Sequence, residues 1–448
     1  MRFDRERVVV VGAGVSGAAA ARVLLEQGAS VRVLDERPRG ELVEAAELAS
    51  LGAEVVTGGH EAAQLADATL VYVSPGVPPR APVVTWARER RLPIWGELEL
   101  GAQLCDVPTI AITGTNGKTT TAELAATMLR AAGFDAVACG NIGHPFPLAA
   151  REDHELLVVE ASSFQLVFQE SFHPRISVLL NVAPDHLDWH GSEQAYAAAK
   201  ARVFASQGEG DAHVGNRDDA TAAAISHGAP CEIAWFRLGT PEDGEVGYVG
   251  GSLVARVRVD RAEIGAVDGE RAGYRADAAA AAASALLAGA SPEAVAAGLA
   301  SYTPARHRGE VVALAGDVRF VDNSKATNVH AALAAIDAVD DAVLIAGGRA
   351  KGVDLAPLAA RADRLRAVVA IGESADELVA AFQGDVAVRK AGSIEEATRT
   401  AFDLAAPGGV VLLAPACASW DMFRDYEERG DRFAEEARAI AAGVNGDR

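Results

Sequence analysis

The chain has 448 residues, half of them hydrophobic, with 41 Lys and Arg against 62 Asp and Glu, a formal charge of −21. That length predicts roughly two to four domains, and the acidic balance argues against broad nucleic-acid binding, so an anionic substrate would need local basic groups. The four cysteines (Cys105, Cys139, Cys231, Cys417) have no paired spacing, which argues against a zinc site and fits a reducing cytoplasm.

Val8 to Val11 follow a charged N-terminus and predict a first strand rather than a signal peptide. No apolar run approaches a membrane span. Gly12-Ala13-Gly14-Val15-Ser16-Gly17 then opens an alanine-rich helix, and a second strand, Val31 to Leu34, ends at Asp35. This β–α–β opening with a G-x-G-x-x-G turn suits NAD or FAD, but the same geometry serves any nucleotide diphosphate. The strand Thr69 to Val73 leads into Ser74-Pro75-Gly76-Val77-Pro78-Pro79, a second turn exposing N–H groups at a strand end, or a plain loop. A first domain over residues 1–96 is expected.

Ile110-Ala111-Ile112-Thr113 is a buried strand that ends in Gly114-Thr115-Asn116-Gly117-Lys118-Thr119-Thr120, followed by a helix over Ala122 to Leu129. Strand, glycine loop and helix N-terminus together predict a phosphate site. Lys118 supplies positive charge and Thr119 a hydroxyl for Mg²⁺; the strict phosphate-loop pattern has glycine where Ile112 stands, so this is a variant. Glu160 ends the strand Leu156 to Val159 and is placed as a Mg²⁺ ligand, or as a helix N-terminal acid. His186 lies just past the strand Ile176 to Leu180 and suits a functional role. Lys200, in the helix Tyr196 to Phe204, reads by itself as a solvated lysine. Asp277 to Ala290 is a packing helix, and Ser291-Pro292 caps the next one. A central domain over 97–304 follows.

From residue 305 to 448, strand and helix alternate again. The strand ends carry Asp322-Asn323-Ser324-Lys325-Ala326-Thr327-Asn328, Gly347-Gly348-Arg349-Ala350-Lys351-Gly352, Gly372-Glu373-Ser374 and Ala414 to Trp420. The fold class is α/β, three consecutive domains, each a mostly parallel sheet with helices on both faces: Rossmann-like, phosphate-loop, Rossmann-like.

Taken together, these motifs resemble the Mur ligases of peptidoglycan synthesis over essentially the whole chain. The markers are Gly12 to Gly17, Ser74 to Gly76, Thr113 to Thr120, Gly140-Asn141-Ile142-Gly143, Glu160-Ala161-Ser162-Ser163-Phe164-Gln165-Leu166, Asp185-His186, Lys200, His307-Arg308, Ser324 to Asn328 and Pro415 to Phe423. Those at Ser324 and Ala414 point to the D-glutamate-adding branch.

The resemblance implies a cytoplasmic, ATP- and Mg²⁺-dependent ligase, expected to be a monomer. It implies UDP-N-acetylmuramoyl-L-alanine and D-glutamate as substrates, with no nucleic-acid or membrane partner and no nicotinamide. Ser16, Asp35, Ser74, Pro75, Gly76, Asn141 and Ser162 would hold the UDP substrate. Gly114 to Thr120, Arg308 and Asn323 would meet ATP. Thr119, Glu160, His186 and a carbamylated Lys200 would hold Mg²⁺, with Lys118, His186 and Lys200 catalytic. Lys325, Thr327, Lys351, Ser419, Trp420 and Tyr426 would hold D-glutamate.

Three positions depart from the family pattern. Asn323 stands where the family has Asp, Gly273 to Asp277 replaces a His-Asn-x-x-Asn helix start near the adenine, and Tyr426 replaces a Phe. Rival readings are another ligase of the superfamily, including one that adds glutamate to folate, and a nicotinamide oxidoreductase resting on Gly12 to Gly17.

Overall fold

The computed structural model describes residues 3–267 and 273–446. It contains three sheets. In the first, β1 (Arg7–Val11), β2 (Ser30–Asp35), β3 (Glu54–Thr57), β4 (Leu70–Val73) and β5 (Ile94–Trp95) run parallel in the order β3-β2-β1-β4-β5. Consecutive strands β1 and β2 pair, then the chain crosses to β4 on the other side of β1. That reversal places the turns after β1 and β4 side by side at the carboxyl edge, where open parallel sheets bind ligands.

The second sheet holds β6 (Thr109–Thr113), β7 (Ala136–Gly140), β8 (Leu156–Glu160), β9 (Ile176–Leu179), β10 (Ala212–Asn216), β11 (Glu232–Phe236), β12 (Glu245–Val249), β13 (Ser252–Ala255) and β14 (Ala262–Ala266). Its order is β14-β13-β12-β11-β10-β9-β6-β8-β7, parallel except for the antiparallel pairs β12–β13 and β13–β14. Every residue of β6, β8 and β9 is buried, as expected of strands covered on both faces. The antiparallel end, β12 to β14, carries no strong sequence signal: its runs are short and broken by Gly250, Gly251 and Gly265.

The third sheet has β15 (Glu310–Ala315), β16 (Val318–Asp322), β17 (Ala342–Gly347), β18 (Leu365–Ile371), β19 (Ala387–Lys390) and β20 (Val410–Leu413), in the order β15-β16-β20-β17-β18-β19. Only β15 is antiparallel. Side chains alternate between two cores. Ala342, Leu344 and Ala346 pack on one face with Ile336, while Val343 and Ile345 pack on the other with Ile394 and Phe433.

By compactness the chain forms two units. The first two sheets make one; residues 303–446 make the other, together with Ala183–Glu193 and 273–275.

Element boundaries move by a few residues from expectation. The helix after the phosphate loop is Lys118–Ala131, not Ala122 to Leu129. Its first turn, Lys118 to Thr121, is polar, so apolar periodicity misses it. The packing helix likewise starts at Tyr274 and ends at Leu287. Ser291 caps Pro292–Ser301 as expected, accepting from Ala294 N.

The helix Pro292–Ser301 lies on Lys118–Ala131. A Cβ at Gly298 would fall 2.5 Å from Met128 Cα, so this helix pair needs glycine there. Gly298→Ala should therefore lower stability by about 1–3 kcal/mol, measured by calorimetry; an unchanged Tm would show that the helices separate freely.

Candidate functional site

β6 delivers the loop 114–117 to the N-terminus of the helix Lys118–Ala131. Gly117 is left-handed, with φ 86°, and a Cβ there would meet Asp277 Oδ1 at 2.0 Å, so both space and backbone demand glycine. The loop is held from β9: Asn181 Oδ1 accepts from Asn116 N at 2.8 Å, and Asn181 O accepts from Thr115 N at 3.0 Å. Lys118 Nζ donates to Gly114 O and Thr115 O, both at 3.0 Å. Lys200 Nζ donates to the same Gly114 O at 2.7 Å. Lys200 is 1% exposed and lies 4.6 Å from the Tyr196 ring centroid. The isolated reading of Lys200 as a solvated lysine is thereby corrected. Its helix turns it inward onto the loop, and Tyr196 Oη donates to Thr115 Oγ1 at 3.1 Å.

Two ammonium groups thus share one carbonyl of the phosphate loop. Beside them Thr119 Oγ1 donates to Glu160 Oε2 at 2.8 Å, and Asn141 Nδ2 donates to Glu160 Oε1 at 2.7 Å. Glu160 is 1% exposed. A hydroxyl and a carboxylate in contact at a helix N-terminus form a hard oxygen pair that fits Mg²⁺. Ser162 begins the helix Ser163–Val167 in a capping box with Gln165, which engages its hydroxyl and its N–H.

The first sheet brings its two turns together. Ser74 Oγ donates to Gly12 O at 2.8 Å. Asp35 accepts from Ala13 N at 2.8 Å and from the Arg37 guanidinium. Burial works to raise the Asp35 carboxyl, but Arg37 and the N–H donors outweigh it and bring it down to about 2. Ser16 Oγ donates to Glu97 Oε2 at 2.5 Å. Glu97 is buried, which raises its carboxyl, and it also accepts from Phe146 N.

In the other unit, Lys351 Nζ lies 2.5 Å from Asp185 Oδ1, and Asn328 Nδ2 donates to Asp185 Oδ2 at 3.2 Å. Lys351 and His186 are both non-glycine residues with left-handed backbone, at φ 57° and 52°. Lys325 Nζ sits 3.7 Å from the Tyr426 ring centroid. Ser419 is buried, with its carbonyl accepting from Met422 N and Phe423 N, whereas Trp420 is exposed. Thr327, Arg308 and Asn323 are half-buried. His307 Nδ1 donates to Asp322 Oδ2 at 2.7 Å, and Asp322 also accepts from Ser324 N.

Lys118, Thr119, Asn141, Glu160 and Lys200 are brought together in the first unit; His186 belongs to the second, with Asp185 and Lys351. Sequence reasoning gave no role to Asn181 or Glu97, and named Asp185 only as part of the Asp185-His186 marker. Asn181 could have been found, because it too is a polar residue just beyond β9.

The comparisons with known proteins agree along the chain. Residues 6–96 match the family model described as Mur ligase MurD-like, N-terminal domain, residues 112–245 the Mur ligase middle domain, and 307–417 the Mur ligase glutamate ligase domain. The UDP-N-acetylmuramoylalanine–D-glutamate ligase of Frankia casuarinae is 45% identical, covering 96% of this chain and 94% of that protein. That of Geobacillus kaustophilus is 41% identical, covering 96% and 97%. Among solved structures, MurF ligase from Thermotoga maritima in complex with ADP aligns with TM-score 0.60 at 19% identity, covering 98% of this chain and 97% of that one. The UDP-N-acetylmuramate-alanine ligase MurC of Thermotoga maritima aligns at 0.59 and 17%, covering 97% and 100%. These two share the fold.

The buried His307–Asp322 pair carries a pH dependence. The hydrogen bond that His307 donates to Asp322 raises it above its ordinary 6.5, against the opposing effect of burial. A histidine raised on folding adds stability that is complete below 6.5 and is lost as pH rises through the raised value. Thermal melts should show Tm falling as pH rises past about 6.5, and His307→Gln should flatten that slope; an equal slope in both proteins would remove His307 as its source.

Proposed function

Because the chain belongs to the Mur ligase family, we propose named roles for its residues in the ATP-dependent ligation of D-glutamate to UDP-N-acetylmuramoyl-L-alanine. The chain is an amide-forming ligase of peptidoglycan precursor synthesis, and the reaction yields ADP and phosphate. The rival oxidoreductase reading leaves Lys118, Glu160 and Lys200 without a task. The single observation that most supports the assignment of roles is the convergence of Lys118 and Lys200 on Gly114 O, next to the Thr119–Glu160 pair.

A carboxylate is a poor electrophile, and here two anions must meet. Lys118 and the N–H groups of Gly114 to Thr120 neutralise the ATP phosphates, so the L-alanine carboxylate attacks the γ-phosphorus and ADP leaves. The D-glutamate amine then attacks the acyl phosphate and phosphate departs. Arg308 and Asn323 serve as further ATP contacts. Thr119 and Glu160, with His186 and a carbamylated Lys200, would hold Mg²⁺, which would screen the charge of the transferred phosphoryl group. Asp35, the Ser74 to Gly76 turn, Asn141 and Ser162 hold the UDP substrate. The Ser16 hydroxyl donates its hydrogen bond to Glu97, so Ser16 serves the diphosphate through its backbone N–H. Lys325, Thr327, Lys351, Ser419, Trp420 and Tyr426 take D-glutamate. No helix among the described residues is long and apolar enough to cross a membrane, and the reading places the enzyme in the cytoplasm as a monomer.

Lys351 pairs the D-glutamate side-chain carboxylate, and a charge-assisted bond of this kind is worth about 1.5–3 kcal/mol. In a coupled assay of ADP release, Lys351→Ala should raise the D-glutamate KM roughly tenfold or more. An unchanged KM removes Lys351 from the site; ADP release with L-lysine or L-alanine in place of D-glutamate overturns the choice of amino acid.

Lys200 acts as a carbamate: its neutral amine adds to CO₂, forming an N–C bond and releasing a proton, and presents an anionic oxygen suited to Mg²⁺. Lys200 is 1% exposed and shares the Gly114 carbonyl with Lys118, and the addition needs its neutral amine. Lys200→Ala should lower kcat by about 10²–10³, and added formate or acetate should restore part of it. Near-normal activity of Lys200→Ala at low Mg²⁺ rejects the role, and a dead variant that no acid rescues removes the carbamate.

A further inference from the structure

Glu97 begins the helix Glu97–Leu104 and is 1% exposed. Its carboxylate faces the first turn of another helix, Val15–Glu26, where the Ser16 hydroxyl donates to its Oε2 at 2.5 Å. Phe146 N donates to its Oε1 at 3.3 Å, and the Gln165 amide adds a further bond. All three donors are neutral. Among the described residues no lysine, arginine or histidine pairs with Glu97. These donors and its own helix N-terminus favour the anion. Burial without a cation works against it, and the carboxyl is raised.

The groups around Glu97 do not offset its charge. Tyr72 and Cys139 are buried, and the Glu97 charge adds to the burial that raises each of them. Glu99, on the same helix, turns to the Ser171 hydroxyl and to the N–H groups of Glu170 and Ser171. On the neighbouring elements, Arg22 pairs with Glu47 and Arg151 with Glu26 at the surface. The helices Phe146–Ala149 and Ser163–Val167 carry no titratable side chain.

Ser16 stands where the substrate diphosphate is assigned. Its helix starts at Gly14 with no side-chain cap and no acid in the first turn, an arrangement that favours an anion. A diphosphate held there is joined through one hydroxyl to a buried carboxylate that has no cation. Two anions this close favour protonation of the weaker acid, which is the carboxyl and not the diphosphate. We infer that Glu97 is a proton-linked positioning residue: it takes up one proton from solvent when the diphosphate binds, and the Ser16 hydroxyl, released from the carboxylate, turns its own hydrogen to a phosphate oxygen. The new carboxyl O–H donates to Ser16 Oγ in return, so neither group is left unmet. The inference rests on the assignment of the UDP substrate to the Gly12 to Gly17 turn. It adds to the Ser16 N–H a second donor that is presented only when the ligand arrives.

The test is calorimetry of UDP-N-acetylmuramoyl-L-alanine binding to the full-length enzyme without ATP, in buffers of different ionisation enthalpy, which reads the protons taken up. Wild type is compared with Glu97→Gln, whose amide keeps the shape and donates to Ser16 as the protonated acid does. Over about pH 6–9, wild type should take up at its maximum about half a proton or more beyond Glu97→Gln, with a Kd that rises roughly threefold or more towards the alkaline end. The Kd of Glu97→Gln should stay level within about twofold over the same range. A merely structural role would shift Kd equally at every pH. Equal proton uptake in the two proteins, or parallel pH profiles of Kd, overturns the inference. If Glu97→Gln does not fold, the infrared difference spectrum of the wild type decides. Binding should add the C=O stretch of a protonated carboxylic acid, and its absence overturns the inference. A wild-type enzyme that does not bind the UDP compound at any pH fails the substrate assignment instead.

Discussion

The carboxylate of Glu160 is the constraint on which the nucleotide end of this protein depends. It lies at the last position of β8 and is almost fully buried, so its charge must be met by donors. Thr119, from the helix after β6, meets one oxygen, and Asn141, from the loop after β7, meets the other. Three neighbouring strands of one parallel sheet therefore send their carboxyl ends to a single point. Each charge-assisted bond contributes about 1.5–3 kcal/mol, so the loops cannot drift apart without exposing an unsatisfied acid. The phosphate loop inherits its position from this arrangement and from the Asn181 clasp beneath it.

The third sheet has the opposite problem, holding positive charge in place. Lys351 is buried against Asp185, and Lys325 rests on the Tyr426 ring. An ammonium left alone on a flexible stem would lose rotamer freedom on binding; one already fixed by a carboxylate or an aromatic face loses less. The segment that carries Asp185 and His186 follows β9 of the second sheet, yet it groups with the third. The Asp185 contacts with Lys351 and Asn328 are the physical reason.

The two ends also differ in how they use glycine and strain. At Gly117 the backbone is left-handed, and a side chain would strain it and displace the Asp277 carboxylate. At Lys351 and His186 the same backbone region is occupied by residues with side chains, at a cost of order 1–3 kcal/mol each. Strain of that kind persists where surrounding contacts over-determine it, and here the Asp185 pair does so for Lys351.

The sequence by itself determined the three alternating α/β stretches, the phosphate loop with its lysine and threonine, and the acids and amides at strand ends. These are local matters: apolar runs of strand length, glycine turns and residues adjacent to strand termini are all read within about ten positions. It did not reach the antiparallel strands β12 to β14, whose runs are too short, nor the start of the helix at Lys118, whose first turn is polar. Tertiary structure alone decided which side chains are inside. Lys200 looks solvated in its own helix and is buried only because of what packs over it. Glu97 likewise gains its role from Ser16, 81 positions away. Burial and pairing of charge depend on non-local contacts, and those are set by strand order, which local sequence patterns do not encode.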